Sequence, residues 1–102
     1  MSISDVQLKG NYYQVFNESG KKIKEAHSSS LGDLCGIGID FMVFLNGNYF
    51  ATYDENFKKI KESHKSSLGD FKSSAGISIN FINGNYQGTY DKTLKKISER
   101  HI

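Results

Sequence analysis

The chain contains no proline and no tryptophan, and only one cysteine, Cys35. A lone thiol cannot close an internal disulfide, so the pattern is not that of a small secreted scaffold stapled by bridges. No long apolar run is present, which excludes a membrane-spanning helix at the level of the sequence. Neither sign of charge dominates: 13 Lys plus Arg stand against 11 Asp plus Glu, and the net +2 gives weak electrostatic reason to invoke nucleic acid or an anionic membrane surface. Met1-Ser2-Ile3-Ser4-Asp5 has neither the basic region nor the apolar stretch of a secretion signal, so a cytoplasmic setting is the default expectation, and a secreted one would require a removed leader. No glycine-rich phosphate loop opens a helix and no nucleophile elbow is present, so neither an enzyme nor a cofactor is expected. What is present is ordinary globular material, 37% hydrophobic over 102 residues, enough for one domain over 1–102.

The strongest positive signal is an internal repeat. A shift of 37 residues superposes Gly10-Asn11-Tyr12, Gly47-Asn48-Tyr49 and Gly84-Asn85-Tyr86 without a gap. It also superposes Lys21-Lys22-Ile23, Lys58-Lys59-Ile60 and Lys95-Lys96-Ile97, then Glu25, Glu62 and Glu99, then His27, His64 and His101. Ser29-Ser30-Leu31-Gly32-Asp33 recurs once, as Ser66-Ser67-Leu68-Gly69-Asp70. Periods of this size mark supersecondary units stacked on a shared core, here divided as 1–27, 28–64 and 65–102.

Alternation identifies the unit. Ile77 to Ile82 alternates before Asn83-Gly84, and Tyr86 to Tyr90 alternates after it, which predicts a hairpin with Asn83 and Gly84 as a type I′ turn. In that register Phe81 faces Tyr86, Ile79 faces Gly88 and Ile77 faces Tyr90, on a face expected to be buried. A second turn, Asp91-Lys92-Thr93-Leu94, leads into a third strand. The fold class expected is therefore all-β: three tandem antiparallel meanders with pseudo-threefold character, closing as a trefoil or lying as propeller-like or open sheets. In the middle copy Phe41, Val43 and Leu45 alternate with Met42 and Phe44, so that strand is apolar on both faces and belongs at the centre, or else at a homodimer contact.

The segments Leu68-Gly69-Asp70-Phe71, Ala75-Gly76-Ile77, Asn83-Gly84-Asn85-Tyr86 and Tyr90-Asp91-Lys92-Thr93 together resemble the bacterial tryptophan-glycine (WG) repeat. The Trp-Gly pair itself is absent, with Tyr49-Phe50 and Tyr86-Gln87 near its place, and only Gly20 keeps the turn glycine. The apolar strand followed by Asn-Gly-x-Tyr is also similar to fascin-like trefoils and to propeller blades. The resemblance implies a repeat-built module of meanders.

Three sets of side chains are candidates for a binding surface. His27, His64 and His101 recur at equal spacing and would hold zinc if closure brought them together, although a repeated place at a hairpin end is the plainer reading. Lys22, Lys59, Lys61 and Lys96 lie on strands whose other face carries Ile23, Ile60 and Ile97; they could form a basic ladder, or simply guard strand edges. Glu25, Glu62 and Glu99 are placed on the face opposite these lysines. Tyr49, Tyr53, Tyr86 and Tyr90 fall on the face expected to be buried, which leaves Tyr13 and Phe50 as the exposed aromatic contacts. The function expected is a non-enzymatic interaction module with a protein partner; the alternative is a lectin-like carbohydrate binder with one shallow site per repeat. Nucleic acid and membrane are not expected as partners, and no metal or other cofactor is assigned.

Overall fold

A computed structural model of the protein describes residues 3–102. The chain is all-β, folded as three antiparallel sheets joined by short helical turns. The first sheet comprises β1 (Asp5–Lys9), β2 (Tyr12–Phe16) and β3 (Lys22–His27). The second comprises β4 (Asp33–Ile37), β5 (Met42–Asn46), β6 (Tyr49–Tyr53) and β7 (Lys59–His64). The third comprises β8 (Asp70–Ala75), β9 (Ser78–Asn83), β10 (Tyr86–Tyr90) and β11 (Lys96–His101). In each, strands neighbouring in sequence are neighbours in space. The Ser-Ser-Leu-Gly-Asp segment supplies both the turn (Ser28–Ser30 or Lys65–Leu68) and the start of a fourth strand, so the full unit is a four-stranded meander.

The units do not close on themselves. One core cluster joins the first and second sheets through Tyr13, Val15, Met42 and Phe44. Another joins the second and third through Phe41, Val43, Phe50, Ile79 and Phe81. Neither cluster contains residues of both end sheets, so the expected trefoil-like closure gives way to an open row whose longest dimension is 40 Å. Each sheet thus has a forward face toward the next unit and a rear face toward the previous one. β5 is buried on both sides, as its unbroken apolar run requires, and this seam lies within one chain. Bonds span both seams to carbonyls at equivalent places: Ile3 N–H donates to the Ile39 carbonyl (2.7 Å) and Ile39 N–H to the Gly76 carbonyl (2.8 Å). Buried Thr52 is satisfied across the second seam by donating to the Lys92 carbonyl at 2.6 Å.

The hairpin register differs from expectation by two residues. Asn83 pairs with Tyr86, Phe81 with Gly88 and Ile79 with Tyr90, leaving Gly84-Asn85 as the loop. Gly84 has φ +64° and Asn85 is not in the positive region, the pattern of a type II′ rather than a type I′ turn. A slip of two preserves face parity, so Ile79, Phe81 and Tyr90 are buried as expected. Ile77, by contrast, lies in the β8–β9 turn and is 74% exposed.

The second turn shows how packing overrides backbone preference. Gly20, Phe57 and Leu94 are repeat equivalents and all have positive φ (+77°, +61° and +60°). The left-handed region costs a side chain about 1 to 2 kcal/mol, yet Phe57 and Leu94 pack against the first and second core clusters on the rear faces of their sheets. In the first sheet, whose rear face no other sheet covers among the described residues, glycine stands at this place.

The same turn is organised by one side chain. Asp91 Oδ1 accepts the N–H of Thr93 (2.9 Å) and of Lys95 (3.1 Å), as Asn17 and Asp54 do in their repeats. Chiefly the Thr93 hydroxyl, with the backbone N–H groups of Lys95 and Thr93, holds the Asp91 carboxyl below its ordinary value of 3.8. A depressed folded-state value stabilises the protein above the unfolded value, and that contribution is lost as the pH falls through the folded one. Asp91→Asn, which retains the accepting oxygen that Asn17 uses, is therefore expected to lessen the loss of stability below about pH 4. Denaturant midpoints of both proteins measured down the acid range check this; parallel curves would refute it.

Two equivalent clefts between the sheets

The register and a β-bulge together build a repeated site. In β3, β7 and β11 an extra residue, Ile23, Ile60 or Ile97, sits between partners that face adjacent residues on the neighbouring strand. The bulge reverses the side-chain parity beyond it. Glutamates expected opposite the lysines therefore share their side, and Lys22–Glu25 (2.7 Å), Lys59–Glu62 and Lys96–Glu99 are ion pairs. Beside the second and third pairs, Tyr49 and Tyr53, and likewise Tyr86 and Tyr90, project on either side of a residue with almost no side chain, Ala51 or Gly88.

The result is two hollows of about 220 Å³ each. The first is lined by both tyrosines, Ala51, the Lys59–Glu62 pair, Asn46 and Ser30 of the preceding connector. The second holds every one of these at 37 residues further on, Ser67, Asn83, Tyr86, Gly88, Tyr90, Lys96 and Glu99, together with Leu68 and Phe81. Hydrogen bonding to Glu62 raises the Lys59 ammonium above its ordinary value, reinforced by Tyr53; Glu99 and Tyr90 do the same to Lys96, whose Nζ lies 5.9 Å from the Tyr90 ring centre. A Cβ at Gly88 would come within 2.8 Å of the Tyr90 ring, so glycine is what lets that ring lie so close to the strand. In the first repeat Gln14 occupies the Ala51/Gly88 place and bonds to Glu25 (3.4 Å), and among the described residues no connector precedes it.

The other candidate residues have different fates. Tyr13 and Phe50, expected as exposed contacts, are 6% and 1% exposed. They lie on forward faces that the next sheet covers, whereas Tyr12, Tyr49 and Tyr86 are the tyrosines that reach solvent. His27, His64 and His101 each pack edge-on against one of these three, at 5.1 Å in every case. His27 Nδ1 accepts the Ser29 N–H and His64 Nδ1 the Ser66 N–H, both at 3.1 Å, capping the helical turns. Among the described residues no group of three His, Cys, Asp or Glu is placed to hold a metal ion. Lys22, Lys59 and Lys96 are taken up in the ion pairs, and Lys61 is exposed opposite Thr52. The cleft residues missed in the sequence, Asn46, Ala51, Glu62 and their equivalents, carried one available signal: Tyr-x-small-x-Tyr followed by Lys-x-x-Glu occurs twice.

No protein-family model matches the chain, and no curated protein matches it. Among the described residues, no helix is long and apolar enough to cross a membrane.

Proposed function

We propose that the protein is a non-enzymatic, lectin-like binding module that takes one sugar unit of a polymeric ligand in each of its two clefts. The observation that carries this reading is the duplication of a complete side-chain set, including the small residue between the two tyrosines. A sugar ring offers a C–H face to a tyrosine and hydroxyls to groups that both donate and accept, which a Lys–Glu pair with an asparagine supplies. The hollows are smaller than the roughly 300 to 1,000 Å³ of drug-sized sites and suit a single ring. One such site is expected to bind at about millimolar strength, and two sites on one chain gain through effective concentration. Tyr13 and Phe50, the aromatic contacts expected for a sugar or a protein partner alike, are buried in the core. Kinship with tryptophan-glycine repeats belongs to the same proposal and rests on the residues quoted above.

Titration with a panel of neutral oligosaccharides, followed by tyrosine fluorescence, tests the reading. The expected result is saturation with two equivalent sites, reduced to one by Tyr49→Ala and to none by Tyr49→Ala combined with Tyr86→Ala. Both rings are about half exposed, so the variants are expected to fold, which circular dichroism checks. An unresponsive protein, or binding that survives the double variant, would overturn it.

A further inference from the structure

The first sheet is one strand narrower than the others. β5 is flanked by β4, and β9 by β8, but β1 pairs only with β2 among the described residues. Its outer edge therefore presents unpaired backbone groups, guarded by charge only at its ends, Asp5 and Lys9. Leu8 is 57% exposed, whereas Leu45 and Ile82, which have the extra strand beside them, are half-buried. The second sheet extends beneath the vacant place, because β4 has no counterpart above it among the described residues. Leu34 and Ile37 of β4 pair with Phe44 and Met42, and so lie on the side that faces the vacancy.

The structure contains its own template for a strand in that place. One layer down, β4 is stacked on β8 with Gly36 against Phe71 and Ser74, and Ser74 donates to the Ile37 carbonyl (2.8 Å). A Cβ at Gly36 would lie 2.5 Å from Ser74 Oγ and 2.8 Å from Phe71 Cζ, so the upper strand of such a stack needs a very small residue there. Leu34 and Ile37 are at the repeat positions of Phe71 and Ser74, and the column formed by β8 and β4 continues into the vacancy.

We propose that β1 is a strand-addition site, and that its occupant is an extended segment of a partner polypeptide with the signature of residues 31–36: Leu-Gly-Asp, an apolar residue, any residue, then glycine. Main-chain pairing to β1 would supply the affinity, and the glycine over Leu34 and Ile37 the selectivity. The site shares no residue with the lining of the two clefts and does not depend on what they bind.

The probe is a synthetic peptide of residues 28–38 with Cys35→Ser, added to the full chain. Expected is saturable binding with slowed amide exchange confined to Asp5–Lys9. A peptide carrying Gly36→Leu is expected to bind about tenfold more weakly or worse, and the protein with Tyr49→Ala and Tyr86→Ala to bind the parent peptide as strongly as the unaltered protein. Absence of protection in Asp5–Lys9, protection confined to Met42–Asn46 by displacement of β4, or equal binding of the two peptides would each overturn the proposal.

Discussion

Replacing the polar residues on the two outermost faces by those at equivalent places in the middle sheet is expected to turn the protein into a head-to-tail polymer. On rear faces, Met42 and Phe44 correspond to Ile79 and Phe81 but to Asp5 and Gln7 in the first sheet. On forward faces, Val43 and Phe50 correspond to Val6 and Tyr13 but to Asn80 and Gln87 in the third. The third sheet's outer face is satisfied within itself: Thr89 donates to Asn80 (2.7 Å), Asn80 to Ser73 (3.1 Å) and Lys72 to Gln87 (3.0 Å). Forward and rear faces are complementary but unlike, so a contact between copies would be heterologous and would not close. Among the described residues the two outer faces of the stack thus carry polar side chains where the inner faces carry apolar ones.

The variant combines Asp5→Met and Gln7→Phe with Asn80→Val and Gln87→Phe. Each new apolar side chain would contribute about 1.5 to 3 kcal/mol on burial, against about 4 to 15 kcal/mol of lost freedom per association. Growth is therefore concentration-dependent. Light scattering over a dilution series is expected to show elongating species for the four-site variant, and none for the unaltered protein or for either end changed alone. A four-site variant that scatters like the unaltered protein at high concentration would mean that the faces are not interchangeable.

Much of this architecture was legible because repeats allow a chain to be compared with itself. The two-sided apolarity of Phe41 to Leu45 called for burial on both faces, at the centre or at a contact between copies, and the first and third sheets supply it. The hairpin was misplaced by two residues because Asn-Gly is a strong local turn signal; only Gly-Asn is common to all three copies, with Lys9 standing where Asn46 and Asn83 do. The side assigned to Glu25, Glu62 and Glu99 failed for a related reason. A bulge leaves no compositional mark, yet it inverts every side chain beyond it, and the clefts depend on that inversion. Exposure of Tyr13 and Phe50 was misjudged because faces were sorted within a single hairpin. A sheet in the interior of a stack has two buried faces, and which aromatics remain outside depends on how far each strand extends past the seam.

Phe81→Ala is expected to release the third sheet while leaving the first two joined. The ring is fully buried and meets Phe50 at 4.9 Å, Tyr90 at 5.5 Å and Phe71 at 5.9 Å, all edge-on, so it links both sides of the second seam. Truncating a buried phenylalanine costs about 3 to 5 kcal/mol, a large share of the roughly 5 to 15 kcal/mol that holds a domain together. In a row of units each touching only its neighbours, that loss is local. Residues Tyr13, Val15, Met42 and Phe44 still hold the first seam, because none of them belongs to the cluster around Phe81. Amide exchange in β8–β11 is therefore expected to accelerate roughly a hundred- to thousandfold, with far smaller changes in β2 and β6. Phe44→Ala is the mirror experiment: it weakens the first seam and is expected to free β1–β3 instead. Detachment of either end sheet also uncovers apolar residues of the middle one, Phe41, Val43 and Phe50 in one case and Met42, Ala51 and Tyr53 in the other, so both variants are expected to aggregate more readily than the unaltered protein. If both variants instead accelerate exchange uniformly across all three sheets, the stack unfolds as one cooperative unit and the separation into two independent seams is wrong.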